Sequence, residues 1–411
     1  MKRIDIFIKF FIFFLLILSF LAFNDKNEWG FYAHKKINRM AIYTLPPEMM
    51  YFFKSNIEYI TDHATDPDKL KFVNPEEGIR HFIDIDAWGQ YPFDDLPRTW
   101  NSVMEKYTEI YLKNNDTIIK IFGPEINIIK NDSIFGFGNS CLLKDHKNFI
   151  CEKIAYNILG EKIEFPIDTI EYYLHLILKD KTWTSIVAEE NFSKEGILPY
   201  YLYEHYRKLV KAFSDKDPKR ILKLVTHFGH YIGDAHVPLH TTRNYNGQLT
   251  NQVGIHAFWE NSVPELLCEE EYDFLVGKAE YIKDVRNFFW QIILKSHSLK
   301  NEVLKADSII NTKISEEKKF VFKERNGVVV RSQSEQLIRG FNKEMNDMVE
   351  KRMKDAVKAL GDIWYTAWID AGQPDLRSIS KINWTEDEIK DNERLKNTKG
   401  EGVLHGCGVG N

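Results

Sequence analysis

Apolar residues along much of the chain recur at intervals of three and four, the spacing that lines one face of an α-helix. The clearest run is late: Leu337, Phe341, Met345, Met348, Met353, Val357, Leu360, Trp364 and Trp368. It predicts one core-facing helix, punctuated at its end by Asp370-Ala371-Gly372-Gln373-Pro374. Its methionines and tryptophans read as packing. Strand-like runs are short. Lys319-Phe320-Val321-Phe322 and Val328-Val329-Val330-Arg331 lie on either side of Asn326-Gly327 and predict a hairpin. Residues from about 114 to 190 are rich in Asn, Ile, Lys and Phe, keep no single period, and read as an insertion. Residues 381–411 are polar and Gly-ended, a loosely held tail. The pattern predicts a mainly α domain over 29–380, with a cleft between helices and minor short strands.

The first residues follow another rule. Lys2, Arg3 and Lys9 precede an apolar run from Phe10 to Phe23, 14 residues broken only by Ser19. That is short of the roughly 20 residues a bilayer span needs, and it suits the core of a signal peptide. Residues 1–28 are therefore expected to be a signal peptide and spacer, with an uncleaved anchor as the alternative. The folded part is expected to be exported: periplasmic, secreted or surface-associated. Export permits disulfides; Cys141 and Cys151 are candidates, but no pairing is predicted among the four cysteines.

Composition narrows the classes further. Of 411 residues, 44% are apolar and 28% charged, which is globular composition. A mean hydropathy of −0.37 excludes a polytopic membrane protein. The 55 basic and 60 acidic residues give a net charge of −5, with no sign of a nucleic-acid-coating protein.

Histidine placement carries the chemistry. Five of the 13 histidines, His227, His230, His236, His240 and His256, fall within residues 227–260. His230 and Asp234 are four apart, as are His256 and Glu260, so on helices each pair presents an imidazole and a carboxylate to one side. Pro238 is expected to break the first helix and bring His240 in from a turn. Imidazole and carboxylate are ligands that zinc accepts in catalytic sites. Upstream, Asp62-His63-Ala64-Thr65-Asp66-Pro67-Asp68-Lys69 is followed by Arg80-His81-Phe82-Ile83-Asp84-Ile85-Asp86, and Trp29 and His34 stand near the expected mature start. His63, Asp84, Asp86, His227 and His236 are expected to support ligand imidazoles.

Trp29…His34, Asp66…His81, His230-x3-Asp234-x5-His240 and His256-x3-Glu260 together resemble the ligand set of the zinc-dependent phospholipase C and nuclease S-one/P-one superfamily. The resemblance touches residues 29–110 and 205–270 and the last long helix. It implies a multi-helical phospholipase C/nuclease-like fold with two to three zinc ions. By the same resemblance, Asp66, His81, His230 and Asp234 hold a first zinc, and His240, His256 and Glu260 a second. His34, Asp234 and the amino group and carbonyl of Trp29 hold a third. In the family that tryptophan is the free N-terminus, whereas Glu28 precedes it here, so the third set implies trimming.

The expected reaction is phosphodiester hydrolysis by a metal-bridging hydroxide, with Asp66 as ligand and water-orienting group and Lys69 against the phosphate. Phospholipid and single-stranded nucleic acid are the two substrate classes, and no obligate protein partner is inferred. The spacing of Trp29 and His34 leans toward the nuclease; Glu260, and the interval from His240 to His256, lean toward the phospholipase. The alternative is an exported, non-catalytic helical metal-binding or interaction protein. A phosphohydrolase with an adjacent His-Asp pair is disfavoured, because the chain has no His-Asp dipeptide.

Overall fold

A computed structural model describes residues 32–113, 118–122, 162–166, 184–325, 328–380 and 382–397. Its helices begin with α1 (Tyr32–Ala41), α2 (Pro47–Ser55), α3 (Ile57–Asp62), α4 (Asp66–Leu70) and α5 (Pro75–Gly78). Then come α6 (Trp100–Tyr107), α7 (Leu198–Asp215) and α8 (Pro218–His236). Beyond a 3-10 turn (Pro238–Thr241) follow α9 (Ile255–Ala257) and, after a short π-helical turn, α10 (Val263–Glu271), α11 (Val285–Lys313), α12 (Glu316–Lys319), α13 (Glu335–Glu344), α14 (Met348–Asp370) and α15 (Glu386–Asn397). The chain is mainly helical, as its periodicity predicts.

Helix α8 is the axis of this arrangement. Asp217 caps it, accepting from the Arg220 backbone N–H at 3.1 Å, and Pro218 occupies its first turn. From Val225 to His236 every residue is buried, so the helix is enclosed on all sides by α1, α7, α11 and α14. Any polar side chain on this stretch is therefore held inside the protein. Pro238 follows the helix end, and His240 sits on the 3-10 turn Pro238–Thr241, as the sequence predicts.

The late apolar run forms two helices rather than one. Asn346 and Asp347 adopt left-handed backbone conformations, at φ 52° and 57°, between α13 and α14. Asn342 Nδ2 donates to Asp347 Oδ1 at 2.8 Å, a local contact that supports the break. Short polar side chains tolerate this conformation, and the apolar spacing carries across it unchanged.

Two antiparallel sheets decorate the helices. Strands β1 (Thr108–Lys113), β2 (Ile118–Phe122), β3 (Lys162–Pro166) and β4 (Ser185–Glu190) form one, in the order β2-β1-β4-β3. They frame the expected insertion, most of which lies outside the described residues. The second is the predicted hairpin, β5 (Phe320–Arg325) with β6 (Val328–Gln333), Arg325 opposite Val328. The expected tail is partly structured. Trp384 stacks on Tyr59, and Lys219 pairs with Glu388 of α15 at 2.7 Å. Among the described residues, no helix is long and apolar enough to cross a membrane. Residues 1–31, Cys141, Cys151 and Cys407 lie outside them, and Cys268 is a buried free thiol.

Candidate metal centre

Four separate parts of the chain meet around Asp234, which is 1% exposed. His230 precedes it by one turn of α8. His81 arrives on the loop after α5, His34 on α1, and His240 on the turn beyond α8. The carboxylate divides its two oxygens. Oδ2 lies 2.9 Å from His81 Nδ1 and 3.4 Å from His230 Nε2; Oδ1 lies 3.5 Å from His34 Nε2 and 3.9 Å from His240 Nε2.

Three sets of side chains have the composition and closeness to hold a cation: Asp68, His81 and His230; His34, His230 and Asp234; and His240, His256 and Glu260. In the last, His256 Nε2 stands 3.1 Å from His240 Nε2 and 2.9 Å from Glu260 Oε2. Glu260 Oε1 also reaches His34 Nε2 at 3.2 Å, which links this set to the others. The local helix differs from the regular α-turn predicted. Phe258–Ser262 is a π-helical turn that starts just after α9 and still leaves His256 and Glu260 in contact.

Asp66 is not in these sets; Asp68 takes that place, its Oδ1 3.4 Å from His230 Nε2 and 3.7 Å from His81 Nδ1. Asp66 is 2% exposed and turned to His63 Nδ1, at 2.7 Å. The lysines divide likewise. Lys69 Nζ lies 3.8 Å from Asp66, whereas Lys71 Nζ lies 2.8 Å from Asp68, so the basic group against the cluster is Lys71 rather than Lys69. Trp29 lies outside the described residues.

The outer nitrogens fix the rings. His230 Nδ1 donates to the Ala64 carbonyl at 3.0 Å and His240 Nδ1 to the His81 carbonyl at 2.7 Å. A carbonyl only accepts, so a neutral ring held this way turns an unprotonated Nε2 inward. Of the residues expected to support the ligands, His236 donates to Ile232 O and Asp86 accepts from Thr242 and Lys300. His227 is buried one turn before His230, and Asp84 N–H donates to Glu195 O. For His230 and His240 the backbone supplies what was sought from side chains.

Electrostatics follow from this burial. Desolvation leads the downward shift of His81, His240 and His230, the last to about 4, so the rings are neutral. Burial, then the charges of Asp68 and Glu260, push Asp234 well above the usual carboxylate range. Burial acts upward on Asp68 too, but Lys71 and then His230 override it and hold it low; His240, His256 and His34 do the same for Glu260. Lone pairs of neutral imidazoles thus converge on carboxylates, and Asp234 Oδ1 is buried with no hydrogen bond from the described residues. Acceptors facing acceptors in a dry interior repel unless a cation or proton stands between them. Nitrogen and oxygen donors in this ratio suit zinc.

Asp68 and Lys71 were within reach of sequence reasoning. Asp68 stands two residues after Asp66, and Lys71 repeats the three-residue interval of Asp66 and Lys69. Neither a protein-family model nor a curated protein matches the chain.

Proposed function

We propose that the protein is an exported zinc-dependent phosphodiester hydrolase with a phospholipase C/nuclease-like fold. The observation that carries this reading is Asp234, one buried carboxylate whose two oxygens face different sets of imidazoles. Such a residue would be shared by neighbouring cations, and clustered cations would suit a substrate with a charged phosphoryl group. Asp68, His81, His230 and Asp234 would hold one zinc, and His240, His256 and Glu260 another. His34 and Asp234 would contribute to a third. When bound, the ions supply Lewis acidity and lower the pKa of water toward neutrality.

The chain's own residues do the rest. The carbonyls of Ala64 and His81 hold His230 and His240 in one tautomer, so these rings need no reorganisation to bind. Lys71 orients Asp68 and adds a fixed positive charge beside the phosphate position. Asp66, two residues from Asp68, holds the His63 imidazole by a hydrogen bond and acts on the local structure rather than as a ligand.

Metal analysis of the purified mature protein, with parallel assays on a chromogenic phosphodiester, single-stranded DNA or RNA, and phosphatidylcholine, tests the proposal. Two or three zinc ions per chain and chelator-sensitive hydrolysis are expected. Zinc bound without hydrolysis of any of these would favour the non-catalytic metal-binding reading.

A further inference from the structure

Each imidazole of the centre has an outer nitrogen, and the partner of that nitrogen decides which lone pair faces inward. His81 is turned opposite to His230 and His240. Its Nδ1 faces in, 2.9 Å from Asp234 Oδ2 and 3.1 Å from His230 Nε2, and its Nε2 faces out. Nε2 is buried, and among the described residues no hydrogen-bonding atom reaches it. What stands before it is Glu77, 3% exposed, with Oε1 at 3.8 Å.

Glu77 is not free to turn. The Tyr231 hydroxyl donates to Oε1, and Arg80 Nη1 donates to Oε2 at 2.5 Å. The Arg80 guanidinium in turn lies over the Tyr201 ring, 4.8 Å from its centre. Tyr231 follows His230 on α8, so one helix carries both an inward ring and the hydroxyl that aims this carboxylate. Arg80 balances the charge at Oε2, which leaves Oε1 directed at His81.

We propose that Glu77 is a positioning residue for His81: its carboxylate keeps the imidazole proton on Nε2 and leaves the Nδ1 lone pair to the cation held with Asp68, His230 and Asp234. At 3.8 Å the contact is too long for a hydrogen bond. It acts as a charge across a short buried gap, where Coulomb forces are strong. The opposite tautomer would set the Nε2 lone pair against Glu77 and Nδ1–H against the cation, two repulsions in place of two attractions. The proposal rests on reading the cluster as a cation site. It does not require that the reaction be phosphodiester hydrolysis.

Glu77→Gln removes the charge at nearly constant volume, and Glu77→Asp restores it. Zinc affinities are measured by competition with a chromophoric chelator, and the ring nitrogens of ¹⁵N-labelled histidines are observed by NMR in the zinc-loaded protein. The Gln variant is expected to bind the ion of the His81 set about 10- to 100-fold more weakly. The His240, His256 and Glu260 set should keep its affinity, and the Asp variant should recover part of the loss. Wild-type His81 should carry its proton on Nε2. Unchanged affinity in a folded Gln variant, or an equal loss in every set, overturns the proposal. So does a zinc-loaded wild type with His81 bound through Nε2, and that spectrum decides alone if the variant does not fold. A protein that binds zinc this way yet cleaves no phosphodiester sinks the proposed function and leaves this role of Glu77 intact; one that binds no zinc removes both.

Discussion

Asp66 and Asp68 are two residues apart on one short helix, and that interval separates their roles. Successive positions on an α-helix turn by about 100°, so side chains two apart leave in nearly opposite directions. Asp68 therefore reaches His81 and His230, while Asp66 reaches back to His63. Spacing along the sequence names a neighbourhood of ligands and leaves their orientation open, which is why Asp66 read as well as Asp68. Glu77 was missed for a related reason. It stands four residues before His81, the same interval as His230 to Asp234, but this carboxylate lies behind its histidine instead of beside it. Asp68→Asn is expected to lose one ion and to lower hydrolysis by more than about 100-fold. Asp66→Asn should retain its full metal content and lower hydrolysis far less. Metal analysis of the two proteins side by side checks the assignment, and a lost ion in Asp66→Asn with full content in Asp68→Asn reverses it.

At the scale of the element, α8 has to bring two ligands into the middle of a helical core, and its glycines let other helices approach. A Cβ at Gly229 would stand 1.6 Å from Asn38 Oδ1, and one at Gly233 would stand 2.7 Å from His34 Nδ1. Asn38 has no room to give, because its amide already donates to Ile60 O and Thr226 O. Gly229→Ala is thus expected to cost roughly 1–3 kcal/mol of stability by overpacking, read as a lower denaturant midpoint at unchanged slope. Gly233→Ala should instead displace His34, lowering the metal content contributed by that residue with a smaller change in midpoint. Equal midpoints for the Gly229 variant and wild type would show that α1 can move away freely. The spacing of His230 and Asp234 with Pro238 beyond them foretold a helix that ends before the proline, and the strand-like runs foretold the hairpin of β5 and β6. The pattern of apolar residues did not foretell the break at Asn346 and Asp347 or the π-helical turn at Phe258–Ser262, because both features keep apolar residues facing inward and leave no mark on the period.

Over the whole molecule, buried imidazoles and carboxylates set how stability answers to pH and metal. His205 and His230 are each pushed down to about 4, led by burial, and His227, His236 and His240 move the same way. Unfolded histidines take up protons near pH 6.5. Their contribution to stability is therefore complete above that pH and is lost as pH falls from about 6.5 toward about 4. His205, whose Nε2–H donates to Leu224 O, is outside the metal centre, so this loss should persist in chelated protein. Denaturation midpoints of the chelated protein at pH 7.5, 6 and 5 are expected to fall steadily, and a flat series would contradict the neutral burial of these rings. Cations add to the same trend, since they compete with protons for imidazole and carboxylate alike. Around Asp234, the folded chain gathers charges that repel one another when no cation separates them, and unfolding scatters them. Ions that bind only the folded form stabilise it by about 4 kcal/mol when free metal is 1,000 times the dissociation constant. A strong chelator at neutral pH should consequently lower Tm by several degrees, and zinc added back should restore it. Asp234→Asn removes the bridging charge and with it much of the repulsion, so its chelated form should melt above chelated wild type while responding little to zinc. The paired melting curves separate two effects that metal content alone cannot. If chelated wild type and chelated Asp234→Asn melt together, and zinc moves neither, the convergence of side chains on Asp234 serves packing and not metal binding.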